Sequence, residues 1–281
     1  MNKACLKFYC PDRAGIVARI SEFLFANKLN IINLEQHSEN GIFFTRIKWE
    51  DIENWKNEAE FQKDFASICD EFQGQVFVHF FARVQTCGLF VSRELHALAE
   101  ILTKVELGDY ENIQIPFIIS NSRNAEKLAN YYNIPFYYTP TKKDSFAHEE
   151  KQLEIIAKYS PDFIGLARYM KILSADFINQ VGCPIINIHH SFLPSFVGAR
   201  PYEMAYERGV KLIGATSHFV IPELDQGPII EQDVARIRSG YSILKMKKQG
   251  ADIEKKVFAR ALAKVFEHKV LVYENRTVVF E

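Results

Sequence analysis

The chain has 281 residues, of which 48% are hydrophobic and 25% charged, and its formal net charge is −1. This is the composition of a globular protein long enough for one large domain or two unequal ones, and the balanced charge argues against nucleic-acid binding. The five cysteines are scattered without CxxC spacing, and no apolar targeting or membrane-spanning stretch follows Met1. These features favour a reducing, cytoplasmic location without membrane attachment.

Residues 1–82 predict a small domain of their own. Apolar periodicity predicts a strand, a helix, two strands, a second helix and a fourth strand, at 5–10, 16–24, 31–37, 42–49, 61–72 and 76–82. The two middle strands are joined through Asn40-Gly41, which is the strongest short signal for a hairpin. The order βαββαβ predicts a ferredoxin-like sandwich. Its outer strands, left unpaired, favour pairing between subunits and hence a homo-oligomer.

The loop before the first helix carries a recognisable motif. Pro11-Asp12-Arg13-x-Gly15-Ile16-Val17, together with the element order, resembles the ACT domains, which often bind amino acids at this loop. The resemblance implies an effector site at Asp12, Arg13, Ala14 and Gly15. Gly15 would let a ligand approach amides at a helix N-terminus, where a carboxylate is favoured. Alternatively, Asp12 caps the helix and Gly15 serves only close packing.

From Arg83 to the C-terminus the pattern changes to alternating strands and helices. Strands are predicted at 84–91, 113–119, 136–138 and 162–166, with helical segments between them. Repeated βαβ units predict a Rossmann-like open, mostly parallel sheet with helices on both faces. The boundary between the two domains is expected near residues 82–85.

Three polar side chains are expected to meet near residue 190. The apolar run 184–189 predicts a buried strand, on which Asn187 and His189 leave the same face. A second strand at 211–220 leads to a Pro-, Asp- and Gly-rich loop that contains Asp225. If the two strands are neighbours, a carboxylate, an imidazole and an amide surround one space and suit attack on a carbonyl. Alternatively, Asp225 is ordinary turn chemistry, and the His189-His190 pair indicates a metal, for which no third ligand has a recognisable spacing.

These residues belong to a longer motif. Asn187-x-His189, followed by Ser191-Phe192-Leu193-Pro194-Ser195-Phe196 and by Asp225-x-Gly227-Pro228, resembles the folate-dependent formyltransferase family. The resemblance implies that Asn187, His189 and Asp225 are the catalytic residues. It also implies 10-formyltetrahydrofolate as the substrate, with no organic cofactor and no metal. The sequence at 198–202 and 209–216 is most similar to that of family members that transfer the formyl group to water.

The same resemblance implies a folate pocket at the carboxyl end of the strand at 162–166, where open α/β sheets bind ligands. The implied pocket residues are Tyr169, Met170, Ile172, Leu173, Val220, Glu223 and Leu224. Alternatively, the segment at 169–173 is ordinary packing at the end of a strand.

One stretch departs from the family pattern. Transferases that use glycinamide ribonucleotide carry a Gly- and Ser-rich turn after the first strand, which cradles a phosphate. Here the stretch 90–96 has no glycine and places Glu94 where it would repel a phosphate. Hydrolysis to tetrahydrofolate and formate is therefore the favoured function, supplying formate to one-carbon and purine metabolism. Transfer to an amine, or a non-catalytic folate-binding regulator, are the alternatives. Glycine or methionine, being linked to folate chemistry, are the expected effectors.

Overall fold

The N-terminal segment folds into a four-stranded antiparallel sheet with two helices. The computed structural model of the chain describes residues 3–50, 57–141, 146–195 and 200–281. The elements are β1 (Lys3–Pro11), α1 (Ile16–Ala26), β2 (Asn30–Glu39), β3 (Ile42–Glu50), α2 (Glu58–Phe72) and β4 (Gln75–Phe80). The strand order is β2-β3-β1-β4, and every neighbouring pair is antiparallel. The predicted βαββαβ sandwich is confirmed.

Alternation along the strands and helical periodicity build this core. Leu6 and Phe8 of β1 are fully buried and pack in one cluster with Ile20 of α1 and Phe65 of α2. Residues two apart on a strand share a face, and residues four apart on a helix share a stripe, so each element contributes one apolar side. The predicted hairpin forms at Asn40-Gly41, whose φ values of 51° and 77° are the positive values that a type I′ turn requires.

The remainder of the chain forms an eight-stranded sheet with helices. Its elements are β5 (Gln85–Val91), α3 (His96–Glu106), β6 (Ile113–Gln114), β7 (Ile118–Ser120), α4 (Glu126–Tyr131), β8 (Phe136–Tyr138), α5 (Ala147–Tyr159), β9 (Phe163–Ala167), α6 (Ala175–Gln180), β10 (Ile185–His189), α7 (Pro201–Glu207), β11 (Leu212–Phe219), β12 (Ile229–Arg236) and α8 (Ile243–Phe266). The order is β12-β11-β10-β9-β5-β7-β8, with β6 beside β5. A two-stranded sheet of β13 (Val270–Tyr273) and β14 (Arg276–Val279) follows.

The large sheet is parallel from β10 to β8 and antiparallel at β11 and β12. The predicted open, mostly parallel α/β fold is confirmed. One prediction within it was wrong, because 113–119 forms two short strands, β6 and β7, rather than one. Pro116 lies between them, and a proline has no N–H to donate to a neighbouring strand. The carboxyl ends of β5, β9 and β10 share one edge, where a ligand crevice is expected.

The chain divides into two compact units. The first comprises the described residues up to Val84 together with Glu267–Leu271 and Val278–Glu281, and the second comprises Gln85–Phe266 and Val272–Thr277. The division after Val84 lies close to the predicted boundary. The C-terminal segments differ from the prediction, which placed all of 83–281 in the second domain.

Buried cations of the first unit bind its C-terminal segment. The guanidinium of Arg46, 2% exposed, donates to the carbonyls of Glu267 and His268 at 2.9 and 3.2 Å, and Lys7 donates to the carbonyl of Val270 at 2.6 Å. Charge-assisted hydrogen bonds are stronger than neutral ones, so these contacts hold the returning segment. Within the described ranges, no helix combines the length and the apolar character needed to cross a bilayer.

Candidate active site

The pairing of β10 with β11 brings the polar side chains together. The two strands are antiparallel, with Asn187 opposite His218 and His189 opposite Thr216. Asn187 and His189 are two residues apart, so their side chains leave the same face of the sheet. The two strands are therefore neighbours, as predicted. Asp225, which follows β11, lies beside the side chains of Asn187 and His189.

Four side chains make contact there. Nδ1 of His189 lies 3.4 Å from Oδ1 of Asp225, and Nε2 of His218 lies 3.7 Å from the same oxygen. Nδ2 of Asn187 lies 3.2 Å from Nε2 of His218. Asp225 is thus flanked by two imidazoles, and the amide of Asn187 joins the group through His218.

A tight loop fixes the position of Asp225. Its backbone is left-handed, with φ of 57°, a conformation that aspartate tolerates better than most residues. Two residues later, a Cβ at Gly227 would lie 1.7 Å from the carbonyl oxygen of Phe219. Only glycine allows this approach, which closes the loop through the bond from the Phe219 amide to the Pro228 carbonyl at 2.9 Å. The Asp-x-Gly-Pro motif therefore builds the loop as well as supplying the carboxylate.

The carboxyl group of Asp225 is held as an anion. Burial raises its pKa, but the imidazoles of His189 and His218 beside it outweigh that effect, so the pKa lies well below its ordinary value. The side chain is only 10% exposed. A desolvated anion between two imidazoles has strong electrostatic influence on any group placed beside it.

His218 is a site residue that the sequence did not predict. Its Nδ1 lies 2.8 Å from the carbonyl of Phe219, and because a carbonyl only accepts, Nδ1 carries a proton. Nε2 is thereby directed towards Asn187 and Asp225. Only the strand register could have revealed this residue, since it lies opposite Asn187 in space and 31 positions away in sequence.

One ring nitrogen of His189 is available to a ligand. Nδ1 faces Asp225, whereas Nε2 is buried and has no hydrogen-bond partner among the residues that the structure describes. A buried ring nitrogen without a partner is unfavourable unless something else satisfies it. Nε2 of His189 is therefore available to form a hydrogen bond with a bound molecule.

A cavity of about 400 Å³ opens beside these groups. Its lining includes Asn187, His189, His218 and Asp225 together with the predicted pocket residues Tyr169, Met170, Ile172, Leu173, Val220 and Leu224. Glu223 is not among the lining residues. The volume and the mostly apolar wall with a few convergent polar groups are those of a small-molecule site.

Hydrogen bonds behind the wall orient Tyr169. Its hydroxyl lies 2.9 Å from Nε2 of Gln152, a fully buried residue that also donates to Thr139 at 2.8 Å. Burial raises the pKa of Tyr169 to about 12, so this hydroxyl stays neutral. The ring is therefore fixed as an apolar surface of the cavity.

No metal cluster accompanies these residues. Among the residues that the structure describes, no group of three His, Cys, Asp or Glu side chains is placed to hold a metal ion. The rings of His189 and His190 are 5.2 Å apart between centroids, and both residues line the cavity. The expectation of chemistry without metal or cofactor stays a prediction.

The predicted effector residues lie in the first unit. Arg13, Ala14 and Gly15 line a depression with Arg19 and Glu71, and the Arg13 guanidinium lies 4.5 Å from the centroid of the Phe72 ring. Gly15 precedes α1 with φ of 97°, a backbone region that disfavours other residues. Asp12 is not among the lining residues, and its amide donates to the carbonyl of Gly41 at 2.8 Å.

Comparison with known proteins agrees with this geometry. Residues 87–262 match the model of the formyl transferase family. The chain is 44% identical to formyltetrahydrofolate deformylase of Bacillus subtilis over 99% of its own length and 94% of the relative. A crystal structure of a formyltetrahydrofolate deformylase from Pseudomonas syringae pv. tomato superposes with a TM-score of 0.94 at 40% identity, covering 100% of this chain and 95% of that one.

A second solved structure, a formyltetrahydrofolate deformylase from Burkholderia mallei, gives a TM-score of 0.89 at 34% identity and covers both chains completely. The open α/β sheet with a polar group at the end of β10 thus defines a formyl transferase. The chain belongs to this family and, within it, to the formyltetrahydrofolate deformylases. Part of the motif, Phe196 to Ala199, lies outside the described residues.

Proposed function

We propose that the chain hydrolyses 10-formyltetrahydrofolate to tetrahydrofolate and formate. The observation that carries this proposal is the convergence of Asn187, His189 and Asp225 on one cavity of a chain that shares its full length with deformylases. In the reaction, water adds to the formyl carbon, the bond from that carbon to N10 breaks, and N10 takes a proton as formate departs.

Asp225 would handle the proton. As an anion it accepts a hydrogen bond from the attacking water, and it takes the proton as the carbon–oxygen bond forms and the water becomes acidic. The same proton then passes towards N10. The two imidazoles beside Asp225 keep its oxygen in place for both transfers.

His189 and Asn187 would stabilise the tetrahedral oxyanion. Because a carboxylate only accepts, the contact with Asp225 places a proton on Nδ1 of His189, and a second proton on Nε2 gives a donor aimed at the substrate. The amide of Asn187 supplies a neutral donor. Removing one such donor typically costs about 10² to 10³ in rate.

The proposed folate seat is the apolar wall of the cavity. Met170 and Ile172 are 46% and 62% exposed, so a bound pterin would cover them, whereas Tyr169 and Leu173 are already buried. Burying such surface against a flat ring is favourable at roughly 25 cal/mol per Å². The exposed pair therefore adds affinity for the folate without taking part in the chemistry.

The decisive experiment is incubation with 10-formyltetrahydrofolate, with and without amine acceptors, while formate is measured. Stoichiometric formate without acceptor is expected. Formylated amine in place of formate would indicate a transferase. Tight binding of the folate with neither product would indicate the regulator instead.

We also propose that the reaction needs neither metal nor organic cofactor and takes place in the cytoplasm. All five cysteines are free thiols, and Cys5, Cys10 and Cys87 are buried, which supports a reducing compartment. Burial raises the pKa of the Cys10 thiol to about 11, so this thiol stays protonated and unreactive.

We further propose that the first unit binds a small amino acid, such as glycine or methionine, in the depression at Arg13 to Gly15. The Arg13 side chain and the amides at the start of α1 favour a carboxylate there, while Arg19 is paired with Glu71 at 3.2 Å. The edge strand β2, with Ile32 and Leu34 exposed, supports pairing with a second copy of the chain.

Formate release across an amino-acid series tests the effector. At least one amino acid should shift activity several-fold, since coupling energies are typically about 1 to 3 kcal/mol. Gly15→Val should abolish the shift. Gly108→Val is the matched control, because Gly108 also has a positive φ, of 76°, and open space around it, but lies in the second unit. A flat response of the unmodified protein, with no binding by calorimetry, would contradict the effector proposal.

A further inference from the structure

A buried cluster of polar side chains stands beside the catalytic cavity. Glu254 of α8, 1% exposed, lies 2.8 Å from Nε2 of His96 and 3.2 Å from Nε of Arg168, and it accepts a hydrogen bond from the Tyr202 hydroxyl at 2.5 Å. We refer to His96, Arg168, Tyr202 and Glu254 as the polar wall. None of these residues belongs to the proposed catalytic set, and of the four only Arg168 lines the cavity.

The polar wall borders the space around the reacting centre. Arg168, which follows β9, and His190, which follows β10, both line the cavity. The ring of His190 lies 6.0 Å, between centroids, from the ring of Tyr202, which in turn binds Glu254. The polar wall therefore extends from Arg168 to His190 and fills the region behind these two cavity-lining residues.

Helix α8 is shaped to hold Tyr202 in the wall. Gly250 lies one turn before Glu254, and a Cβ at this position would lie 1.9 Å from the Tyr202 hydroxyl oxygen. Glycine is unfavourable in the interior of a helix. Its presence is explained by the close approach of Tyr202, which packs its hydroxyl against the helix backbone and is itself only 5% exposed.

The wall neutralises its own carboxylate. The two oxygens of Glu254 accept hydrogen bonds from His96 and Tyr202 and form an ion pair with Arg168, and the attractions of His96 and Arg168 outweigh burial and hold the pKa of Glu254 near 2. A free carboxylate at the edge of the cavity would attract the ammonium or hydroxyl groups of an acceptor molecule. Here it is already neutralised and covered.

Hydrolysis and formyl transfer differ only in the nucleophile. With water, the formyl carbon leaves as formate; with an amine, a new carbon–nitrogen bond forms and the product is an N-formyl amine, while N10 takes a proton in both cases. The same three catalytic groups serve either reaction. Which reaction occurs is therefore decided by what reaches the formyl carbon.

We propose that the polar wall, with Tyr202 as its central member, restricts the formyl acceptor to water by occupying the space that an amine acceptor would need. This inference rests on the proposed hydrolysis and adds its specificity determinant. The wall excludes larger nucleophiles by volume and withholds the carboxylate of Glu254 from them.

The test measures how the formyl group is partitioned. The protein is incubated with 10-formyltetrahydrofolate and glycinamide, a small primary amine, and formate and N-formylglycinamide are quantified by mass spectrometry. The unmodified protein should yield formate. Tyr202→Ala should raise the share of N-formylglycinamide about tenfold or more, the size of effect that one pocket group typically has on specificity. Tyr202→Phe keeps the ring and is the control, which should remain at the unmodified level.

Gly250→Ala is a second variant that tests the same role of Tyr202. The added methyl displaces the hydroxyl end of Tyr202 while leaving that residue in the chain. It should raise the share of N-formylglycinamide in the same direction. Calorimetric binding of tetrahydrofolate verifies that each variant is folded.

Formate as the sole product from folded Tyr202→Ala or Gly250→Ala at saturating glycinamide would overturn the role of the wall. Equal transfer by the unmodified protein and the variants would do the same. The unmodified protein without amine tests the proposed hydrolysis separately. If it releases no formate, the hydrolysis fails; if it does and the variants form no N-formyl amine, only the wall fails.

Discussion

Nδ1 of His189 lies 3.4 Å from Oδ1 of Asp225, so the imidazole and the carboxylate act as a pair rather than as separate groups. The carboxylate fixes the orientation of the ring and the proton on its inner nitrogen. In return, the imidazole helps to keep the carboxylate ionised.

Asp225→Asn should lower turnover by about 10² to 10⁴ while tetrahydrofolate binds nearly as before. A neutral amide cannot take a proton from water, whereas the cavity walls are unchanged. Single-turnover formate release and calorimetry measure the two effects. Asp233→Asn, which makes the same change at a half-buried carboxylate of β12 outside the cavity, is the control. Near-normal formate release by Asp225→Asn would remove this residue from its proposed role.

His218→Ala should reduce kcat by about 10², the cost typical of a misplaced reactive group, with little change in KM. Its loss also removes a neighbouring imidazole that lowers the pKa of Asp225. That pKa should therefore rise, and activity should begin to fall at a higher pH on acidification. The pH profile of kcat for both proteins measures this shift. An unchanged profile would show that His218 does not act through Asp225.

Chelation should leave activity intact. No set of three metal-binding side chains is present among the described residues, and the proposed mechanism uses only Asn187, His189 and Asp225. Formate release after dialysis against EDTA is compared with that of untreated protein. Loss of activity that a divalent ion restores would disprove the metal-free mechanism.

Glu254→Gln should destabilise the catalytic unit near neutral pH by about 3 kcal/mol, the usual cost of breaking a buried ion pair. The folded-state pKa of Glu254 is about 2, against an ordinary value of 4.5. Because the folded-state pKa is the lower one, the stabilisation is present above pH 4.5 and is lost as the pH falls from 4.5 towards 2.

Urea unfolding at pH 7, 4 and 3, followed by far-ultraviolet circular dichroism, measures this dependence of Glu254 on pH. The difference between the unmodified protein and Glu254→Gln should shrink as the solution becomes more acidic. A difference that stays constant over this range would show that the charge of Glu254 does not contribute to stability.

Local pattern predicted most of the fold. The βαββαβ order and the Asn40-Gly41 turn were accessible because strand alternation and turn chemistry are set by neighbouring residues. The split of 113–119 was missed because an apolar run looks continuous, although Pro116 interrupts it. No element was predicted beyond residue 228, where α8 is 24 residues long. One glycine and many charged residues obscure its apolar stripe, and that glycine, Gly250, is explained only by its contact with Tyr202.

The site residues that belong to a sequence motif were predicted, whereas those that depend on strand pairing or helix packing were missed. Asn187, His189 and Asp225 lie in one motif and meet in the structure. His218 and Glu254 stand outside any motif, and their importance emerges only from strand register and from the packing of α8. Glu223 was expected in the pocket from the family resemblance, but it is not among the lining residues, whereas its neighbours Pro222 and Leu224 are.

The return of the C-terminal segment to the first unit affects how the protein is synthesised. Lys7 and Arg46 donate hydrogen bonds to carbonyls of residues 267 to 270. These residues are synthesised more than two hundred positions after Lys7 and Arg46, so the hydrogen bonds cannot form until then. The unit translated first is thus the last to obtain all of its hydrogen bonds. A premature stop at codon 267 would remove these carbonyls from the first unit and leave the catalytic motifs intact. Such a protein would still carry the chemistry, and it would have lost the unit proposed to regulate it.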